Sequence, residues 1–320
     1  MSFQVDQAFV QQYRDNAVHL AQQVKSRLEG CVRRDPDIVG ANYYFERFGA
    51  TAIQFKTSRH SPTPLISTPQ SRRRVTMSTG QWADAIDNDD KKKTLVDLES
   101  NYMKAARAAF NRFKDQLIIA AATGNAYSGQ DGQTAVSFPT SQIVADTAIN
   151  NTNSLEAGSN DGGHMSPQRL LKIGRAFALA DVDPDEERFL VLGARQIWDD
   201  LLHYVAVGSA DYNTLKSLAA GAIDSYAGFK IIMSNLLLLA GGTDVYGNAV
   251  STLTGATAGD RYDLAFARQG IGFAMNYDVI AKVAEDPGLS YSLRPYMEIS
   301  AGATRIEEAR VVISPVAETA

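Results

Sequence analysis

One cysteine in 320 residues, Cys31, leaves no partner for an intrachain disulfide and too few thiolates for a cysteine zinc site. A chain of this length buries about three-quarters of the surface that its unfolded form exposes, so its core needs no cross-link. That scarcity fits a reducing compartment. Long apolar runs are missing as well. The longest lie at residues 117–122 and 236–240, whereas a membrane helix takes about 20 apolar residues. The opening Met1, Ser2, Phe3 and Gln4 show no basic stretch leading into an apolar one, so no secretory signal is read. Histidine is scarce and scattered (His19, His60, His164, His203), with no pair at metal-binding spacing. There is no Walker A sequence, and Gly270-Ile271-Gly272 lacks a third glycine and runs into strand-like residues. No serine stands in G-x-S-x-G, and Cys31 sits in a charged connector with nothing to activate it. The sequence therefore predicts no catalytic, metal or cofactor site.

Charge is present but unevenly placed. The 31 basic and 36 acidic side chains give −5, which argues against a general nucleic-acid binder. Residues 45–80 hold Arg47, Lys56, Arg59, Arg72, Arg73 and Arg74 against the single acid Glu46, so this segment is +5 and the remainder −10. A small positive segment on an acidic body predicts a contact with the body of another copy, or with an anionic ligand. Arg72-Arg73-Arg74 is open to both readings, a phosphate grip or a contact with carboxylates of a neighbour, and the acidic remainder favours the second. Reversing all three to Glu should then stop association and leave the subunit folded.

Periodicity supplies the elements. Phe9, Tyr13, Ala17, Leu20, Val24 and Leu28 recur at helical spacing with Gly30 as a stop, which predicts an amphipathic N-terminal helix. Residues 51–57 alternate, with Ile53 and Phe55 on one face and Gln54 and Lys56 on the other. Residues 72–79 alternate again, with Arg73, Val75 and Met77 together. Pro62, Pro64 and Pro69 lie between them and forbid regular pairing near a tip. Residues 43–80 thus read as a long β-hairpin that buries too little to stand alone and folds onto something else.

Residues 94–123 predict a helix about 42 Å long. Thr94 would be its N-cap, Asp97 would suit its dipole, and Gly124 would close it. Leu95, Leu98, Tyr102, Ala105, Ala109, Phe113, Leu117 and Ala120 form its stripe, leaving Lys104, Arg107, Arg112 and Lys114 on an exposed, partly basic surface. Residues 124–163 read as loops with a short strand at 135–138. Ser166-Pro167 opens a helix through Leu170, Leu171, Ile173 and Phe177. Residues 196–207 read as helical with Trp198, Leu201, Leu202 and Val205 inward. Strands are expected at 189–192, 229–233 (entered by Gly228), 262–275, 291–299 and 311–313. Without a repeat or a clean βαβ alternation the class is α+β.

Several charged clusters have plain explanations. Asp181, Asp183 and Asp185 imitate a calcium loop, but Glu186 stands where glycine is needed and Leu192 where a bidentate Glu belongs. They read as a solvated turn, and Asp199-Asp200 and Glu307-Glu308 as solvated faces. Lys91-Lys92-Lys93, preceded by Asp87, Asn88, Asp89 and Asp90, is a self-compensated turn.

The order of these elements resembles the major capsid protein of tailed bacteriophages, the HK97-like fold. AIDNDDKKKTLVDLESNYMKAARAAFNRFKDQLIIAAATGNA (85–126) is similar to the segment leading from that family's extended loop into its spine helix. MSPQRLLKIGRAFALADVDPDEERFLVLGARQIWDDLL (165–202) resembles a helix, turn, strand and helix of its axial domain, and SYAGFKIIMSNLL (225–237) its glycine-led central strand. The resemblance spans about residues 40–313. It implies an N-terminal arm (1–42), an extended loop and connector (43–93), a peripheral domain with the spine helix (94–163), an axial domain (164–270) and a return to the peripheral domain (271–320).

It further implies a shell protein without catalysis or cofactors, assembling with itself into the hexamers and pentamers of an icosahedral virion around double-stranded DNA. Assembly would take place in the host cytoplasm, away from membranes, with a portal, a separate scaffolding protein and a decoration protein as partners. Arg47, Lys56, Arg59, Arg72, Arg73 and Arg74 would touch the neighbouring subunit. Lys104, Arg107 and Arg112 would face the lumen and contact DNA weakly. Some members join subunits by a lysine–asparagine bond; Lys56 is the hairpin's one lysine, and no flanking pattern supports that chemistry here. Two other classes stay open: an encapsulin-like shell around a cargo enzyme, which the proline-tipped hairpin and N-terminal arm disfavour, and an α+β enzyme without a recognised motif.

Overall fold

Side-chain alternation, the period of a strand, governs most of the chain. The computed structural model describes residues 22–56, 58–60, 62–63, 65–87, 98–145, 163–201 and 225–318. Among these residues the strands are β1 (Arg33–Asp35), β2 (Asn42–Phe48), β3 (Gln70–Thr76), β4 (Ser78–Ala83), β5 (Ala126–Ser128), β6 (Thr134–Val136), β7 (Arg188–Leu192), β8 (Ser225–Tyr226), β9 (Phe229–Met233), β10 (Arg261–Ala267), β11 (Ile271–Asp286), β12 (Ser292–Arg305) and β13 (Val311–Val316). The α-helices among them are α1 (Leu98–Thr123) and α2 (Pro167–Leu179).

The chain divides into two compact units. The smaller takes in, of the described residues, 22–26, 79–87, 98–112 and 277–300. Here β4 follows β11 and β12 in sheet order, and Ile86 N donates to Leu293 O (2.8 Å) just past β4. The N-terminal segment is held by α1: Asn111 Nδ2 donates to Val24 O (2.7 Å), and Arg112 Nη1 to Gln22 Oε1 (2.8 Å).

The larger unit holds the remainder. Its main sheet has the order β13-β10-β7-β9-β8, with β10 antiparallel to β13 and β7, and β7 parallel to β9. The uninterrupted apolar run of β7 suits a strand covered on both faces. Ser166 accepts from Arg169 N and caps α2, whose Leu170, Ile173 and Phe177 pack against Leu190, Phe229, Ala265 and Val312. The second sheet, β2-β3-β5-β6, buries Phe45 and Val75 with Ile38, Ala274 and Ile306. Arg305, fully buried, closes the C-terminal end of α1: Nη1 donates to Ala122 O (2.9 Å) and Gly124 O (2.8 Å), and Nη2 to Val136 O (3.2 Å). A cation there also opposes the negative end of the helix dipole. Desolvation lowers its pKa to about 10, so it stays charged.

The second limb of the hairpin, α1, α2 and the short strands fall where periodicity puts them, the first limb lies at Asn42–Phe48 and not at 51–57, and the stretch 262–275 is split into β10 and β11 by a turn. Five expectations need correction. Residues 22–28 are irregular, followed by a short 3-10 turn, so the N-terminal stripe does not run on to Leu28. Residues 51–56 lie outside any strand. On α1 Leu117 and Ala120 of the expected stripe are buried, but further up the helix the buried side is displaced to Ala106, Phe110 and Lys114, and Lys114, expected on the surface, meets Glu29 (3.2 Å). Residues Gln196–Leu201 form a π-helical turn whose wider spacing rotates Trp198 outward, and Leu171 of α2 also faces solvent. Asp200 and Glu308 are not solvated, as described below. Phe9, Tyr13, Ala17, Leu20, His19, Lys91-Lys92-Lys93, Thr94, Leu95, Asp97, Leu202, His203 and Val205 lie outside the described residues.

Candidate assembly surface

The hairpin that carries the positive charge has two parts. At its base β2 and β3 pair from Asn42↔Thr76 to Phe48↔Gln70. Alternation sends Arg73 inward with Val75, and Arg72 and Arg74 to the opposite face. Three consecutive arginines on a strand thus cannot all converge on one phosphate.

Arg73 is 3% exposed and bonded to its own chain: Nε donates to Ile306 O (3.3 Å) and Nη2 pairs with Glu308. Arg47, two residues beyond Arg73's cross-strand partner Phe45 on β2, donates to the same Ile306 O (2.7 Å) and pairs with Glu308 (3.5 Å). Arg305 Nε lies 3.7 Å from the same carboxylate. One acid thus answers three guanidinium groups. Burial lowers the pKa of Arg73, and Glu308 opposes that shift. On the other face Arg72 pairs with Glu46 (3.3 Å) and lies over Tyr44, and Arg74 lies over Tyr127. Arg47, Arg72 and Arg73 are therefore engaged inside the subunit.

The distal part, residues 49–69, is different. Ile53 is 90% exposed, Phe55 93% and Leu65 99%. Burying each would be worth about 1.5–3 kcal/mol. Single exposed apolar residues are ordinary; this many in one loop mark an interaction site. Among the described residues Lys56 and Arg59 make no ion pair, and both are exposed.

Other candidates fall elsewhere. Lys104 and Arg107 are exposed on α1, and Arg112 is half-buried on the N-terminal segment. His60 stands exposed in the loop with φ 62°. His164 Nδ1 lies 3.0 Å from Asp200 Oδ1, and Asp200 also accepts Met165 N (3.0 Å), so this acid anchors the start of α2. The Asp181–Glu187 stretch is a turn in which Asp183 accepts from Asp185 N (3.0 Å), and burial raises the Cys31 thiol. Among the described residues no three His, Cys, Asp or Glu side chains are placed to hold a metal. Glu308 is the residue that sequence reasoning missed. Its partner Arg73 lies 235 positions away, and no local signal links them. Glu318 was missed too: Arg261 grips it with both Nε (2.8 Å) and Nη2 (2.7 Å), and Gln196 Nε2 adds a third bond (3.0 Å).

The fold is shared with the capsid of the cyanophage P-SCSP1u (14% identity, 98% of this chain and 95% of that one, TM-score 0.68). It is shared equally with the capsid of Ralstonia phage GP4 (12%, 97% and 96%, TM-score 0.71) and that of cyanophage Pam1 (13%, 99% and 100%, TM-score 0.63). These likenesses establish an α+β fold of the HK97-like kind. No curated protein matches the sequence. The family described as phage capsid protein matches residues 5–318, nearly the whole length, and the chain belongs to that family.

Proposed function

We propose that this chain is the major capsid protein of a tailed phage, building hexamers and pentamers of an icosahedral shell around double-stranded DNA. The observation that carries the reading is the distal loop, where large apolar side chains stand almost fully in solvent beside Lys56 and Arg59. A lone subunit gains nothing from such a loop; a lattice of subunits buries it at every contact. Residues 43–93 act as the extended loop and connector, 94–163 and 271–320 as the peripheral domain, 164–270 as the axial domain, and 1–42 as the N-terminal arm. Lys56, Arg59 and Arg74 meet the neighbouring subunit. Arg47, Arg72 and Arg73 support the loop from within. Lys104 and Arg107, with Arg112, line the lumen and touch the packaged DNA weakly. A portal, a scaffolding protein and a decoration protein complete the particle, which assembles in the host cytoplasm. The role is structural, without catalysis.

Negative-stain microscopy and sizing of the purified full-length chain test this. Capsomers or closed shells are expected, alone or with scaffold. A protein that stays monomeric at high concentration and with scaffold present contradicts it.

A further inference from the structure

The distal loop contains a strand pattern that has no strand partner, and the register of the base tells which backbone groups are available for one. Gly49 N donates to Pro69 O (2.8 Å) beyond one end of the β2–β3 ladder, and Met77 N to Ala41 O (3.0 Å) beyond the other. Odd-numbered residues of β2 therefore exchange bonds with β3, and even-numbered ones turn their N–H and C=O groups away. β2 is also the terminal strand of its sheet. Carried into the loop, the same alternation points the backbone of Ala50, Ala52, Gln54 and Lys56 along the continuation of that open edge.

The return limb is different. Extended by the same register, Pro62 and Pro64 would fall opposite Lys56 and Gln54, so two of the return limb's four outward positions lack donors. Proline blunts that edge against pairing and leaves the first limb's edge intact. No residue from 50 to 56 has a positive φ, so an extended conformation there is sterically open.

We infer that residues 50–56 become a β-strand on meeting a second copy of this chain, adding to a free sheet edge of that copy through the even-numbered backbone groups. This rests on the reading that the loop lies over a neighbouring subunit. Charge identifies the partner as a like subunit: residues 49–69 hold Lys56 and Arg59 and no acid, and the rest of the chain is −7. In strand addition the backbone provides affinity and alternate side chains provide specificity, here Ile53 and Phe55 on one face.

Amide-resolved hydrogen exchange on the unassembled full-length chain, and on shells made from it, tests the inference. The amides of Ala52, Gln54 and Lys56 should exchange about tenfold slower or more in shells. Equal exchange in both states overturns the inference, as does protection confined to Thr51, Ile53 and Phe55, which means the hairpin has closed on itself. Gln54→Pro removes one outward donor and keeps Ile53 and Phe55. It should lower shell yield about tenfold relative to Gln54→Ala, and an undiminished yield overturns the pairing. A wild-type chain that forms no shells at all removes the capsid reading itself, whereas shells with an unprotected limb remove the strand pairing alone.

Discussion

At the base of the hairpin Phe45, Arg73 and Val75 are 1–3% exposed; a few residues along the same two limbs, Ile53, Phe55 and Leu65 are 90–99% exposed. Both regions alternate apolar with polar residues, and both carry basic side chains. The base finds its complement inside the chain, in Ile306 O and Glu308. In the loop Ile53, Phe55 and Leu65 stay almost fully exposed, and Lys56 and Arg59 make no ion pair among the described residues. The segment's positive charge therefore has separate roles: Arg47 and Arg73 fix the arm to its own subunit, Arg72 pairs with Glu46 within the arm, and Lys56 and Arg59 are left to face outward.

The base breaks the harder of the two. Glu308→Ala would leave three guanidinium groups around one empty position, two of them buried, and should cost the subunit about 3–5 kcal/mol in urea unfolding. A loss below about 1 kcal/mol would show that the hub is not what holds the arm. For the same reason the triple reversal of Arg72, Arg73 and Arg74 to Glu should unfold the subunit, since it buries a carboxylate at position 73 beside Glu308. That outcome, seen by circular dichroism, corrects the expectation that only association would fail.

The loop should respond in the opposite way. Ile53→Ser combined with Phe55→Ser should leave subunit stability within about 0.5 kcal/mol, because neither side chain has a packing partner to lose. Shell yield by sedimentation should still fall about tenfold or more, since each side chain is worth about 1.5–3 kcal/mol when buried. Equal shell yield from the double variant would separate the loop from assembly.

What could be read from residues alone follows this division. Alternation showed the face shared by Arg73, Val75 and Met77 because a strand's period is local. Alternation over 51–57 was equally clear, yet residues 51–56 lie outside any strand, because a strand also needs an edge to pair with. The helices α1 and α2 were legible from spacing, and the Ser166 cap from its own residue type. Lys114, Asp200, Glu308 and Glu318 were not, since burial of a charge depends on a partner far away in sequence: Glu29, His164, Arg73 and Arg261 lie 85, 36, 235 and 57 positions off. Trp198 was misplaced because a π-turn departs from the 3.6-residue period on which the reading relied.

A third, smaller effect concerns the end of the described chain. Bonds from Arg261 and then Gln196 hold the Glu318 carboxyl below the usual value of 4.5. A depressed folded-state pKa means that this group's stabilisation is complete above that value and disappears as pH falls through the lowered one. Glu318→Gln should cost about 1 kcal/mol at neutral pH and flatten the acid limb of the stability curve. An unchanged acid limb would remove Glu318 from the account.

A symmetric electron-microscopic reconstruction of the assembled particle tests the contrast between base and loop most directly. The account predicts Arg73 still paired with Glu308 of its own subunit, and Phe55 and Leu65 buried against a different copy. A loop folded back on its own chain, or left in solvent within the finished shell, would contradict it.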